Sequence, residues 1–481
     1  MEDRQHYNVT LAALTLAGTA FALQQTMVVP ALPVIQRELH TTTTWATWVL
    51  TVFLLVASVA TPILGKLGDQ YGKERLLAIS LCVFLAGSVG CAAAWDIWSL
   101  IGFRAVAGVG AAVFPLSFAI IRDEFPPEKI GVAIGIVSAV FGVGGGFGIV
   151  LSGVIVDQLS WRWLFVIGSV GIAIAIALVI RFVPESPIKT PSRIDVQGAL
   201  LLSGGLIAFL LAITEGESWG WGSTPIVSLF LAAVVLLVAW GWVELHVPEP
   251  MVDMRMLTRR PVLVTNVAAL ISGFAMFGLF VLVPNFVEQP RGLPADLAAR
   301  VDYGFGASAT EAGLYLLPGS VLLLFAAPLA GVLGRRVGFK WPLVLGLLFA
   351  SLAAWMLAFW HDEPWQVVAS QPVIGLGVGF AFAAMATIVT EAVRATETGV
   401  ATGMNTVMRT VGGVIGGQVG AALLTAYTIP GTAVPSVRGF ETAFVASAVA
   451  ALVGAVIALF VTRPVWRLRP LALEPAEERV G

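Results

Sequence analysis

The chain has 481 residues, of which 58% are apolar and only 12% are charged, and its formal net charge is −2. An ordinary water-soluble protein carries roughly twice this charged fraction, so the composition excludes one. The net charge by itself says little about partners, and we expect no nucleic-acid partner.

Apolar runs of about 20 residues, long enough to cross a bilayer as helices, recur along the whole chain. The first run is too long for the apolar core of a signal peptide and is interpreted as the first span. Together the runs predict an all-α membrane protein with fourteen spans at about 9–33, 45–67, 75–94, 97–120, 130–157, 161–183, 195–214, 224–244, 261–288, 309–334, 340–360, 365–391, 398–427 and 440–463.

The distribution of lysine and arginine predicts how the chain is oriented in the membrane. An even number of spans puts both termini on one side. With that side in the cytoplasm, twenty basic residues fall inside, five outside and two within spans. Because cytoplasmic loops carry the excess of basic residues, we expect both termini in the cytoplasm.

Residue patterns typical of enzymes are missing. The two cysteines lie nine residues apart in one apolar run, the four histidines lie near loops, and no phosphate loop, nucleophile motif or metal-binding helix motif occurs. We therefore expect no catalytic residue, no metal and no cofactor, and do not expect an enzyme.

One short stretch between spans 2 and 3, residues 65–75, combines charged side chains with Gly65, Gly68 and Gly72. Glycine has no Cβ, so these positions permit a tight turn and a close approach of helices. Asp69 can accept hydrogen bonds from exposed N–H groups at the start of a helix and can pair with Arg75. We expect the stretch to act in gating; a basic loop that only anchors the topology is the alternative.

The glycine pattern of the first half recurs in the second half. Residues 62–72 match 328–338 at an offset of 266, 104–110 match 371–377 at 267, and 131–148 match 399–416 at 268. Three matches in the same order predict two homologous halves with the substrate site between them. The predicted domains are 1–183, a linker with two inserted spans at 184–260, 261–463, and a cytoplasmic tail at 464–481.

The loop at 65–73, with the pattern G-x-x-G-D-x-x-G-[KR], resembles the signature loop of the major facilitator superfamily of transporters. The six-plus-two-plus-six order of spans is similar to the fourteen-span branch of that superfamily, the multidrug and antibiotic exporters that exchange drug for protons. The resemblance covers nearly the whole chain, and further matching segments begin at Trp161, Asp195, Glu249 and Asn405. It implies the major facilitator fold, with two six-helix halves and two extra central helices, in the inner membrane of a bacterium or similar cell.

Two arginines lie inside predicted spans, where a charged side chain costs about 3 kcal/mol or more. By resemblance, Arg104 matches a basic residue of span 4 that takes part in proton movement; a structural arginine that caps backbone carbonyls is the alternative. Arg409 lies about 16 Å into span 13 and is interpreted as substrate-binding, with a structural role as the alternative. In span 5, Gly144 and Gly148 predict close helix packing and a part in gating, with close packing alone as the alternative.

The chain departs from the exporter pattern in spans 1 and 5. Ile149 follows Gly148 where the family has proline, which removes an expected kink. Gln24 stands where these exporters commonly carry an aspartate, and glutamine cannot bind and release a proton. No carboxylate is predicted deep inside a span, so the candidates for proton coupling lie towards the outer ends of spans 5, 9 and 10: Asp157, Glu288 and Glu311, of which we expect at least one to be buried. The resemblance adds Arg104 to this set. For Glu311, a helix-start carboxylate is the alternative.

The side chains expected to line the substrate site are amides, arginine and phenylalanine: Gln24, Gln25, Phe21, Phe114, Gln371, Asn405 and Arg409. A cavity for hydrophobic cations usually holds a buried carboxylate, so this set favours neutral, zwitterionic or anionic amphiphiles. We therefore expect a monomeric secondary transporter, surrounded by membrane lipids, that exports amphiphilic small molecules by alternating access in exchange for protons. A uniporter or proton symporter, favoured by the missing span 1 acid, and a flippase-like protein that handles lipid or lysolipid are the alternatives.

Overall fold

The computed structural model describes residues 2–186, 195–290, 293, 295–432 and 434–462, and among these all side chains except those of 2–6, 43, 44, 141, 143, 145, 157, 295 and 309. Residues 187–194 of the predicted linker and the whole predicted tail, 464–481, lie outside the described residues.

Within those ranges the chain is helical and has no β-strand, which confirms the predicted all-α class. Nineteen α-helices follow one another: α1 Glu2–Thr26, α2 Leu32–Glu38, α3 Thr43–Tyr71, α4 Lys73–Ala92, α5 Ile97–Val109, α6 Val113–Glu124, α7 Pro127–Gly142, α8 Ile149–Gln158, α9 Arg162–Phe182, α10 Val196–Trp219, α11 Thr224–His246, α12 Met254–Leu257, α13 Arg260–Glu288, α14 Ala295–Ala298, α15 Ala309–Val337, α16 Lys340–Phe359, α17 Pro364–Ala392, α18 Thr398–Ala426 and α19 Val437–Ala458.

Among the described residues, twelve helical segments are long and apolar enough to cross a membrane. This confirms a helical protein with many spans. Helix α1 and the consecutive helices α7 and α8 lie at the positions of predicted spans 1 and 5 and are not counted among the twelve.

One end of the bundle, here called the terminal face, holds the start of α1. The ring of Tyr7 in α1 lies 5.4 Å from the ring of Phe125, which directly follows α6. The hydroxyl of Thr10 donates a hydrogen bond of 3.4 Å to the carbonyl of Phe182 at the end of α9. The other end of the bundle is called the opposite face.

The sequence repeat has a structural counterpart in two helix breaks. Gly72 separates α3 from α4 with a φ of 118°, and Gly338, 266 residues later, ends α15 with a φ of 92°. Both values lie in the region that favours glycine. The N–H of Gly72 donates to the carbonyl of Gly68 at 3.1 Å, and that of Gly338 to Gly334 at 2.8 Å. Each half therefore reverses direction through the same backbone conformation.

The two halves meet along two pairs of helices, α3 with α18 and α7 with α15. Glycines bring these backbones together. A Cβ atom on Gly65 would lie 2.4 Å from the carbonyl oxygen of Gly399, and one on Gly331 would lie 2.4 Å from that of Gly131. Any larger side chain would push the helices apart, so the close packing of the halves depends on glycine.

Helices α10 and α11, at the position of the predicted insertion, lie beside the contact of α3 with α18, here called the seam. Helix α10 packs against α3 and α18, and α11 packs on α10. Leu202, Leu206 and Leu210 of α10 are buried in one apolar cluster with residues of α18. The inserted pair therefore covers the line along which α3 and α18 meet.

A buried carboxylate holds the connection that leads back from the inserted pair to the second half. Glu244, near the end of α11, is 3% exposed. It accepts hydrogen bonds from the indole N–H of Trp240 at 2.8 Å and from the backbone N–H of Val252 at 3.0 Å. Because Val252 precedes α12, this carboxylate fixes the path of the chain after α11.

Replacing Glu244 with alanine should loosen that connection. Its two donors lose their acceptor, and a buried unsatisfied group costs about 1–3 kcal/mol. We expect faster trypsin cleavage of the folded protein after Arg255, which is exposed on α12. The control is Glu217→Ala, at an exposed position on α10, which should leave the cleavage rate unchanged. Equal rates for Glu244→Ala and the unmodified protein would contradict this account.

Candidate functional site

At the terminal face, a carboxylate of the first half accepts hydrogen bonds from the start of a helix of the second half. Asp69, near the end of α3, is 1% exposed. Its two oxygens accept hydrogen bonds from the backbone N–H groups of Gly399 and Val400, each at 3.1 Å. These N–H groups belong to the first turn of α18, where a helix has no internal acceptors and favours negative charge.

Buried charges from three helices surround this contact. The ammonium group of Lys73 lies 3.7 Å from Asp69 and also pairs with Asp123 at the end of α6. The second oxygen of Asp123 accepts from Lys73 and from the hydroxyl of Ser186. The sequence expectation that Asp69 pairs with Arg75 is wrong, since the ion pair goes to Lys73 and Arg75 is exposed.

A second cross-link between the halves comes from Arg122, next to Asp123 on α6. Its guanidinium donates to the carbonyls of Val393 at 2.6 Å and Arg394 at 2.9 Å, and to the hydroxyl of Thr398 at 2.7 Å. Lys73 adds a bond of 3.4 Å to the carbonyl of Ala395. The first half thus holds the turn between α17 and α18 by several polar contacts.

Sequence reasoning did not select Lys73, Arg122 or Asp123. The available signal was the pair Arg122-Asp123 at the end of span 4, close to the same face as residues 65–75. Two of the predicted glycines also fit tightly here. A Cβ atom on Gly68 would lie 2.3 Å from the side chain of Leu116, and one on Gly72 would lie 2.4 Å from the carboxylate of Glu185.

A cavity lies between the two halves, away from the terminal face. It is narrow: the centre of a water molecule can occupy about 50 Å³ of it, within about 520 Å³ of space free of protein atoms that includes the part open to solvent. Its lining begins at Thr61, about 12 Å along α3 from Asp69. The lining residues are Phe21, Gln25, Phe53, Leu54, Ala57, Ser58, Thr61, Ala111, Phe114, Phe277, Thr406, Val407, Arg409 and Thr410. Four of the predicted substrate residues are therefore brought together: Phe21, Gln25, Phe114 and Arg409.

The other three predicted substrate residues lie outside this lining and bond within one half. The side-chain N–H₂ of Gln24 donates to Ser88, which accepts a further bond from Ser169. The amide of Gln371 donates to the carbonyl of Val367 at 3.2 Å and to Ser370 at 3.1 Å. That of Asn405 donates to Asn266 on α13 at 3.0 Å. The contacts of Gln24 and Asn405 join different helices, whereas those of Gln371 lie within α17.

Arg104 is buried in the first half, with 1% of its surface exposed. Its Nε donates to the carbonyl of Val49 at 3.1 Å, and its guanidinium lies 4.2 Å from the ring centroid of Phe53. The contact to a backbone carbonyl fits the structural alternative. One terminal nitrogen, Nη2, has no hydrogen-bond partner among the described residues.

Arg409, on α18, is a buried arginine of the second half. It is 6% exposed, and its guanidinium lies 4.3 Å from the ring centroid of Phe382 on α17. A Cβ atom on Gly273 would lie 2.0 Å from its backbone oxygen, so α13 packs tightly on α18 behind it. The ring contact and the packed backbone hold this cation at the cavity wall.

Of the three candidate carboxylates for proton coupling, the two whose side chains the structure describes, Glu288 and Glu311, do not line the cavity. Glu311 is exposed and completes a capping box, since it accepts from Ser308 N–H at 2.6 Å and the Ser308 side chain accepts from Glu311 N–H at 3.1 Å. The expectation that Glu311 is buried is therefore wrong. Glu288 is half-buried at the end of α13, and Asp157 lies on α8 with its side chain outside the described residues.

At Gly144 and Gly148, α1 packs closely against the segment predicted as span 5. A Cβ atom on Gly144 would lie 2.7 Å from the carbonyl oxygen of Ala22, and the hydroxyl of Thr26 donates to the carbonyl of Gly144 at 2.6 Å. The helix widens to π geometry over Val143–Gly148, a feature often found at functional sites. Close packing is thus present, and a part in gating stays a prediction.

No group of three or more His, Cys, Asp or Glu side chains is placed to hold a metal ion in the part of the chain that the structure describes.

Comparison with known proteins gives a consistent result. The model of the Major Facilitator Superfamily matches residues 14–301 and 297–480. The tetracenomycin C resistance and export protein of Streptomyces glaucescens is 27% identical over 77% of this chain and 67% of its own length. Multidrug resistance protein 3 of Bacillus subtilis (strain 168) is 30% identical over 75% of this chain and 68% of its own.

Among solved structures, that of the human organic anion transporter MFSD10 (TETRAN) superposes with a TM-score of 0.66 over 94% of this chain and 99% of that chain, at 13% identity. This likeness shows the fold. With the match of the family model over most of the sequence, the chain belongs to the Major Facilitator Superfamily of membrane transporters.

Proposed function

We propose that this chain is a secondary transporter with fourteen spans that exports amphiphilic small molecules across the inner membrane by alternating access, with its terminal face in the cytoplasm. The observation that carries the proposal is a cavity between the two halves, lined by aromatic, polar and arginine side chains, while polar contacts join the halves at one end. Such a state corresponds to a site closed towards the cytoplasm.

The contacts at the terminal face are suited to repeated opening. Most are single hydrogen bonds, and each contributes about 0.5–1.5 kcal/mol net, so a modest difference in substrate affinity between two states can shift the balance. Asp69 adds a charge at a helix start, which contributes about 0.3–2 kcal/mol. We infer that Gly65 lets α3 and α18 meet closely enough for this contact to form, while Gly68 and Gly72 let the end of α3 pack against Leu116 and Glu185.

The direction of transport rests on two kinds of support. This chain covers about two thirds of the length of two relatives whose names state drug resistance, and the name of one of them also states export. The excess of basic residues predicted on the side of the termini, twenty against five, supports a cytoplasmic terminal face. In this orientation, export moves the substrate from the terminal face, between the two halves, to the opposite face.

Proton exchange is the proposed driving reaction, and facilitated diffusion is the second candidate. A proton-driven cycle needs a group that alternates between charged and neutral. Arginine stays charged, and the described cavity lining holds no carboxylate. The carboxylates proposed for coupling are then Asp157 and Glu288. Arg104 is proposed for coupling from the family resemblance alone, since its contacts to Val49 and Phe53 lie within the first half. The absence of an acid at Gln24 favours the second candidate.

Flux in reconstituted vesicles separates these two candidates. We expect the double variant Asp157→Asn, Glu288→Gln to lose flux driven by a pH gradient and to keep substrate exchange at equal pH, because neither side chain can then carry a proton. The control is Glu311→Gln, which keeps an acceptor for the helix cap and should keep pH-driven flux. Full pH-driven flux in the double variant would overturn proton exchange and leave facilitated diffusion as the better account.

A second experiment tests the gate. Asp69→Asn should remove about 1–2 kcal/mol from the closed terminal face, a shift of roughly 5- to 30-fold in population. Hydrogen exchange of the amides of Gly399 and Val400 should become faster and export slower, with normal insertion. Glu217→Gln on α10, an exposed carboxylate, is the matched control. Unchanged exchange at α18 together with unchanged export would rule out the proposed role of Asp69.

A further inference from the structure

The lining of the cavity differs between its two sides. The first half contributes a connected aromatic surface, in which the ring of Phe21 lies 5.9 Å from that of Phe53 and 5.8 Å from that of Phe114. The second half contributes one ring, Phe277 of α13, and a more polar surface of α18 with Thr406, Arg409 and Thr410. A molecule in the cavity therefore meets mostly apolar rings on one side and a cation on the other.

Arg409 is the one charged residue among the described lining residues. It is 6% exposed, and its guanidinium is oriented by the ring of Phe382 at 4.3 Å. A guanidinium carries five N–H donors and no acceptor, and it binds carboxylate, sulfonate or phosphate oxygens through two parallel bonds. In a nearly water-free wall its field attracts anions and repels cations more strongly than it would in water.

We propose that the transported molecule is an amphiphile with one anionic group, held across the seam between the halves. The anion pairs with Arg409 of the second half, and the apolar body packs among Phe21, Phe53 and Phe114 of the first half. The proposal rests on the proposed transport function and adds the charge and the orientation of the substrate. Because the bound molecule contacts both halves, its binding acts directly on their relative position.

The polar residues of the first half do not decide the charge of the substrate. Gln25, Ser58 and Thr61 on the wall are neutral and can donate to or accept from many groups. They suit hydroxyl, amide or ring-nitrogen groups on the body of the substrate. The sign of the charge is set by Arg409, since the described wall offers no carboxylate to pair with a cation.

The test uses three radiolabelled probes that share one aromatic ring system and differ in charge: naphthalenesulfonate, naphthalenesulfonamide and naphthyltrimethylammonium. Equilibrium binding is measured on the full-length protein in lipid nanodiscs. We expect the unmodified protein to bind the sulfonate at least about tenfold more tightly than the ammonium probe, as an ionic hydrogen bond allows. Arg409→Gln should lower affinity for the sulfonate by about tenfold or more and leave that for the neutral sulfonamide within about twofold.

Two further variants sharpen the result. Thr406→Asp lies one turn before Arg409 on α18 and neutralises it in place, so sulfonate affinity should fall here as well, even if Arg409→Gln fails to fold. Arg438→Gln removes an exposed arginine away from the cavity lining and should change none of the three affinities.

The proposal is overturned if the unmodified protein shows no preference for the sulfonate, or if Arg409→Gln weakens all three probes equally. Flux into vesicles distinguishes this failure from failure of the proposed function. A protein that moves the sulfonamide or the ammonium probe but does not prefer the sulfonate is a transporter of another substrate class. If the protein moves none of the probes and no other amphiphile, the proposed transport function itself is wrong.

Discussion

The structure depends on one interaction between its halves, the carboxylate of Asp69 at the first turn of α18. Unpaired N–H groups at the start of a buried helix need an acceptor, and here the acceptor comes from the other half of the molecule. Its formation requires backbone contact, which Gly65 and Gly399 permit because neither has a Cβ. Lys73 balances the buried charge and connects it to Asp123. Hydrogen bonds, close backbone packing and an ion pair therefore all occur at this one contact between the halves.

The remaining architecture follows from that closed end. With α3 held against α18 at the terminal face, the space between the halves lies further along the same helices, where the cavity is found. Helix α10 lies against the outer side of this seam, and no residue of 196–246 lines the cavity. The inserted pair thus covers the seam without entering the site, and the site belongs to the two repeated halves.

Much of this was predictable from sequence because it depends on backbone. The repeated glycines predicted two equivalent helix breaks, and Gly72 and Gly338 share a φ that only glycine adopts easily. The sequence also predicted that Asp69 accepts hydrogen bonds from N–H groups at the start of a helix, without saying which helix. Its cation was not: the chain turns at Gly72, and this turn leaves Lys73 at 3.7 Å from Asp69, whereas Arg75 is exposed. The sequence also could not predict that Gln25 lines the cavity while the neighbouring Gln24 does not. In a membrane helix the lipid-facing and buried sides are both apolar, so the sequence gives little contrast between neighbouring positions.

The account's central claim, that the two halves close at one face while they open at the other, is tested most directly by paired distances. Spin labels at 128 and 396 would span the terminal face, and labels at 47 and 425 the opposite face, in a background without Cys82 and Cys91. When a transported amphiphile is added, the account predicts that one distance lengthens as the other shortens. Two distances that stay constant, or that change in the same direction, would contradict it.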